Sequence, residues 1–124
     1  MTEQTNRQPA RDPQDLERLL IDRQHAGDVD GMVALFEPQA VVDCGEGKFL
    51  HGHPEIRRYF AEVVASGRKF ARGEQQPALI CGELALTSTR LPDGSVTAEV
   101  ARRQSDGTWL WAIDRYTIAT EQRS

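Results

Sequence analysis

The chain has 124 residues, 15 of them basic and 19 acidic for a formal net charge of −4, and 39% are hydrophobic. A chain of this length buries roughly 65% of the surface its unfolded form exposes, enough for one core and too little for two. There is no Lys/Arg stripe to attract nucleic acid, no apolar run near the ~18 residues of a membrane span, and no apolar stretch in the opening MTEQTNRQPA, so the expectation is a cytoplasmic protein that engages neither nucleic acid nor membrane.

Residues 1–11 carry no apolar periodicity and read as a disordered tail, residues 12–119 as a single domain, and residues 120–124 as a second tail. Asp12 is a candidate N-cap with Pro13 in the first helical position, and Leu16, Leu19 and Leu20 recur at helical spacing until Gly27. Asp28 caps a second short helix with Met32, Val33, Leu35 and Phe36 inward, which Pro38 stops. Ala40–Cys44 is a β-rich run. Gly52 to Glu55 starts a third helix whose Ile56, Tyr59, Phe60, Val63 and Val64 form one buried stripe, closed by Gly67. Strand-like runs follow at Ala78–Cys81, Leu84–Arg90, Ser95–Gln104 and Thr108–Ile118, separated by Gly82-Glu83, Pro92-Asp93-Gly94 and Asp106-Gly107. Three helices, a strand and then an antiparallel meander make an α+β order, with the helices on one face of the sheet.

Cys44 and Cys81 have neither a disulfide framework nor metal spacing and are expected as small buried hydrophobes. His51 and His53 flank a glycine with no third ligand nearby, so no metal is expected, and His25 suits the negative end of the first helix. The basic residues Arg57, Arg58, Arg68, Lys69 and Arg72 read as a solvated helix face and end. No dinucleotide glycine fingerprint or cofactor ligand set is present, and no cofactor is expected.

The stretch Ala26-Gly27-Asp28-Val29-Asp30-Gly31-Met32-Val33-Ala34-Leu35-Phe36, then Ala40-Val41-Val42-Asp43, Gly52 leading into Ile56 and Phe60, and the closing Asp106-Gly107-Thr108-Trp109 with Ile113-Asp114 resemble the nuclear transport factor 2-like (NTF2-like) superfamily. Within it, the likeness is to the SnoaL-like and ketosteroid-isomerase-like branch, over about Asp15 to Ile118. The resemblance implies a cone-shaped, curved antiparallel sheet wrapped over three helices, a pocket at the open end, and usually a homodimer. It does not imply an activity, because the family spans isomerases, dehydratases, hydrolases, cyclases and pure binding domains. The general-base position of a ketosteroid isomerase falls on Cys44, its oxyanion-binding Tyr on Leu20 and its protonated Asp on Ala101, so that chemistry is not expected. Asp43 is one residue off the base position and, by strand alternation, points to the opposite face unless a bulge intervenes.

With Asp106-Gly107 as a two-residue turn, Arg103 faces Leu110, Ala101 faces Ala112 and Glu99 faces Asp114. One face then carries Glu99, Ala101, Arg103, Leu110, Ala112, Asp114 and Tyr116, and the resemblance puts Ala112, Asp114 and Tyr116 on the pocket side. A three-residue loop would exchange the faces. Asp114, Arg103 and Glu99 are the candidate catalytic residues, since two carboxylates enclosed together push one pKa up and give an acid beside a base. The arrangement partly resembles the limonene epoxide hydrolase site, and the competing reading is a structural Asp114–Arg103 ion pair. Candidate ligand contacts are Tyr116, Ala112, Ala101, Leu20, Phe36, Phe60 and Cys44. The opposite face would hold Trp109, Trp111 and Ile113, which points to a homodimer through the convex sheet face with a tryptophan near its centre. The inverted alternative places both tryptophans in the core. Functionally, the expectation is a SnoaL-like pocket protein binding a small, largely apolar molecule, an isomerase, cyclase or hydrolase by general acid/base chemistry. The rival is a non-catalytic binding or dimerisation module whose cone is plugged by Leu20, Phe36, Phe60 and Tyr116.

Overall fold

A computed structural model of the chain describes residues 7–119. In chain order it contains α1 (Asp15–His25), α2 (Val29–Val33), β1 (Phe36–Asp43), β2 (Phe49–His51), α3 (Gly52–Ala65), β3 (Glu74–Gln75), β4 (Leu79–Cys81), β5 (Leu84–Thr87), β6 (Thr89–Arg90), β7 (Val96–Arg103) and β8 (Trp109–Ala119). The strands form one curled sheet in the order β2-β1-β8-β7-β5-β4, with β6 also on β7 and β3 on β6. The expected α+β architecture of helices over a curved sheet is present. The sheet is mixed rather than wholly antiparallel, because β1 runs parallel to β8 while the other pairs are antiparallel.

Local chemistry accounts for where the elements begin and end. Asp12 caps a turn one step before α1, accepting from Gln14 N at 2.9 Å, so the helix itself starts at Asp15. Asp28 caps α2 through Gly31 N at 3.0 Å. That helix ends at Val33, earlier than expected, and the chain is already extended at Phe36. Pro38 therefore lies inside β1, in the stretch between Phe36 and Val41 where the pairing with β8 shifts, and a residue without an N–H is tolerated at such an irregularity. α3 buries Gly52, Ile56, Phe60 and Val63. Phe60 and Trp111 both pack on Phe36, at ring-centroid distances of 5.8 and 5.3 Å, and with Leu16, Met32, Leu35, Val42 and Ile56 they fill the inner end of the cone.

The final hairpin departs from expectation twice, and the two departures cancel. Gln104 N donates to Thr108 O at 2.7 Å and Gly107 N to Gln104 O at 2.9 Å, so the loop has three residues, Ser105–Gly107, with Gly107 at φ 87°. That left-handed backbone suits a residue without Cβ. The extra loop residue sets Arg103 opposite Trp109 and Ala101 opposite Trp111. It turns both tryptophans inward, to 6% and 1% exposure. Ala112 is then an extra residue, a β-bulge between Trp111 and Ile113, after which Val100 faces Ile113 and Glu99 faces Asp114. Trp109 and Trp111 are core residues, so neither can centre a convex-face interface.

Residues Arg7 to Arg11, expected within the tail, are tied down. Trp109 N donates to Ala10 O at 2.9 Å, Arg23 gives one guanidinium N–H to Gln8 O at 2.6 Å and another to Gly31 O at 2.7 Å, and Arg7 pairs with Asp28 through two bonds. A buried guanidinium must satisfy its donors, and backbone carbonyls of this segment do so. The remainder of that tail and residues 120–124 lie outside the described residues. Cys81 is exposed on β4, not buried, and Cys44 is half-buried. Among the described residues, no helix is long and apolar enough to cross a membrane.

Candidate functional site

An open-mouthed cavity of about 470 Å³ occupies the end of the cone away from the hairpin loop. Glu17 and Leu20 reach it from α1, one turn apart and so on one helix face. Cys44 follows β1, Tyr59 lies on α3, and Arg68, Lys69 and Phe70 come from the segment after α3. Ser95, Thr97 and Glu99 line it from β7 and its approach, and Asp114 and Tyr116 from β8. Beyond the bulge, alternate β8 residues thus face the cavity as alternate β7 residues do. Cavities of a few hundred Å³ with several convergent polar groups are the usual form of small-molecule sites.

Three carboxyls converge on this space. Glu99 and Asp114 are direct cross-strand partners, each only 4% exposed, and directly opposed side chains share a face with Cβ atoms roughly 5 Å apart. Burial pushes the Asp114 carboxyl well above the usual carboxylate range, and the charges of Glu99, Glu17 and Asp43 add to this. Burial raises Glu99 as well, while hydrogen bonds from Thr87 and Thr97 pull it back. The Thr87 hydroxyl donates to Glu99 Oε1 at 2.6 Å. Glu17 is pushed up to about 7, by burial first and then by the charge of Glu99. Burial also lifts the Tyr116 phenol and carries the Cys44 thiol up to about 11, so both stay protonated at neutral pH. The Tyr116 hydroxyl is buried without a hydrogen-bond partner, and among the described residues no hydrogen bond or ion pair reaches the Asp114 carboxyl. Such a site can hold a shared proton near neutral pH and either donate or accept it, the property general acid/base work requires.

No family model matches the chain, and no curated protein does. Solved structures do. A protein from Thiobacillus denitrificans, described as a candidate calcium/calmodulin-dependent protein kinase type II association domain, superposes with a TM-score of 0.74 at 13% identity over 92% of this chain and 97% of its own. A candidate dehydratase of the NTF2-like family from Streptomyces avermitilis gives 0.68 at 16% identity over 86% and 95%. An NTF2-like protein of unknown function from Pseudomonas putida KT2440 gives 0.65 at 15% over 90% and 87%. The chain has the NTF2-like fold. Identities this low carry the architecture and nothing of the chemistry.

Within this NTF2-like fold, the residues singled out by sequence separate into three groups. Asp114, Glu99, Tyr116, Leu20 and Cys44 all stand at the cavity wall. Phe36, Phe60 and Ala101 are fully buried at the inner end, behind the cavity, and Ala112 is the bulge residue. Arg103 is elsewhere. It sits at the hairpin end of β7, exposed, with its guanidinium on Glu83 at 3.0 Å, because the strand runs past the rim there. The Asp114–Arg103 ion pair therefore does not exist, and the Arg-containing epoxide-hydrolase pattern is not reproduced. Asp43 points away from the cavity, accepting from Gly45 N at 2.9 Å and pairing with Arg115 at 3.1 Å, as strand alternation requires. His53 bonds Phe36 O at 2.7 Å, His25 bonds Phe70 O at 2.8 Å, and His51 is exposed. The sequence reading missed Glu17. Its signal was available: Glu17 stands one turn before Leu20 and next to the buried Leu16, a charged residue at the edge of an inward stripe.

Proposed function

We propose that the protein binds a small, largely apolar molecule in the cone and moves a proton on it, with Asp114 and Glu99 as the acid/base pair and Tyr116 as a hydrogen-bonding contact. The observation that carries this reading is the opposed pair Glu99 and Asp114, both buried, at the wall of a cavity large enough for a ligand. A buried carboxyl pair without a compensating cation costs stability, so its persistence needs a return in function. Leu20, Phe70 and Leu91 supply apolar wall, and Phe36 and Phe60 fill only the inner end, which speaks for a pocket over a plugged cone. An isomerase, dehydratase or cyclase step would suit such a site equally, since each begins with proton transfer next to a polarised carbonyl or hydroxyl.

Screening apolar metabolites by thermal shift, with NMR mapping of the hits, tests the reading. Hits should perturb Asp114, Tyr116 and Leu20, and Asp114→Asn should abolish turnover or weaken affinity at least tenfold, about 1.4 kcal/mol. Hits that map to the outer sheet face, or bind Asp114→Asn unchanged, would contradict it.

A further inference from the structure

The cavity gathers carboxyls that no cation among the described residues pairs with. Glu17 from α1, Glu99 from β7 and Asp114 from β8 bring three carboxyls to it, and none of the ion pairs among the described residues includes any of them. Arg68 and Lys69 also line the cavity, but neither forms an ion pair with these carboxyls. Arg68 lies over the Phe70 ring at 5.7 Å, Lys48 over the Tyr59 ring at 5.7 Å, and the Lys69 ammonium donates to His25 O at 3.1 Å. Asp93 at the rim is spent on Ser95, whose N–H and hydroxyl it accepts. The remaining ionisable neighbours, Cys44, Tyr59 and Tyr116, are neutral when protonated and supply no positive charge. Two groups of the lining residues have no hydrogen-bond partner among the described residues, the carboxyl of the buried Asp114 and the buried Tyr116 hydroxyl.

We propose that the ligand carries a protonated amine, whose ammonium sits among the carboxyls of Glu17, Glu99 and Asp114 while its apolar body lies against Leu20, Tyr59 and Phe70. An ammonium has three donors and no acceptor, and Glu17, Glu99 and Asp114 bring three carboxyl acceptors to one cavity. A neutral carbonyl ligand would bring no positive charge to the carboxyls. A metal ion fits less well, because no group of three His, Cys, Asp or Glu among the described residues is placed to hold one. A bound cation favours the ionised carboxyls, so a proton held there in its absence passes to solvent on binding. The inference rests on the cavity being the ligand site proposed above and narrows its ligand to one class.

Calorimetry on the full chain at pH 7.5 tests it with matched triplets of primary amine, alcohol and carboxylate on cyclohexylmethyl, phenylethyl and indolylethyl bodies, in two buffers of different protonation enthalpy. At least one amine should bind tenfold or more tighter than its alcohol, with proton release. That preference should fall in both Asp114→Asn and Glu17→Gln, each checked for an intact fold by its NMR spectrum. Alcohols or carboxylates binding as tightly as the amines would overturn the amine and leave the pocket reading standing. Displacement of a bound amine by millimolar magnesium would overturn it in favour of a metal site. Binding by no member of any triplet would count against both readings.

Discussion

At Asp114 the stability of the fold and the proposed site pull in opposite directions. The residue is buried, it faces Glu99, and no cation answers it. A carboxyl whose pKa is higher folded than unfolded binds more protons in the folded state between those two values, so stability falls as pH rises through that window. For Glu17 the window runs from the ordinary carboxyl range to about 7, and the raised Asp114 carboxyl acts in the same direction. The melting temperature should therefore be higher at pH 5 than at pH 8. Asp114→Asn should raise it at pH 8 by several degrees, flatten the pH profile and lose ligand binding, a trade of function for stability. A wild-type profile rising from pH 5 to pH 8, with Asp114→Asn destabilised throughout, would show that the cluster is ionised and satisfied. Arg103 provides the contrast. Its partner Glu83 is exposed, so Arg103→Ala should leave both melting temperature and ligand affinity unchanged.

At the scale of elements, the β7–β8 hairpin decides which side chains meet the cavity. Gly107 holds a left-handed backbone in the three-residue loop, and Gly107→Ala should cost about 1 kcal/mol, read as a fall of roughly 4 °C in melting temperature. An unchanged melting temperature would mean that the loop relaxes to another turn. This hairpin also marks how far the sequence could be read. α3 was legible because a stripe such as Ile56, Phe60 and Val63 depends only on local spacing. The Glu99–Asp114 pairing was reached with two compensating errors, since loop length and the Ala112 bulge each shift the register by one. Asp106-Gly107 fits both a two-residue turn and the end of a three-residue one, and nothing around Ala112 announces a bulge. Glu17 was missed because a helix pattern ranks apolar residues and passes over a half-buried acid. The anchoring of Ala10 was missed because it is made by backbone to a strand nearly one hundred residues away in sequence, which no local pattern encodes.

Across the whole molecule, the cavity lies on the cone's inner face and an exposed aliphatic row on its outer face. On the outer face, direct cross-strand pairing aligns Val41, Ile113, Val100, Leu86 and Leu79 in one aliphatic row over five strands, with Ile113 53% exposed. Charges beside the row are neutralised within the chain, Arg115 by Asp43 and Arg102 by Glu37, so a second copy could approach without repulsion. We infer a homodimer through this row, centred on Ile113 and not on a tryptophan. Sedimentation should show a dimer at micromolar concentration and a monomer for Ile113→Glu, and a monomeric wild type would remove the inference. On the inner face, the account stands or falls with the protonation of the carboxyl cluster in the ligand-free protein. Carbon-detected NMR titration of the side-chain carboxyls of Glu17, Glu99 and Asp114 reads it directly. Glu17 should titrate near pH 7 and Asp114 well above the ordinary carboxyl range, whereas all three titrating near pH 4, like solvated acids, would contradict the account.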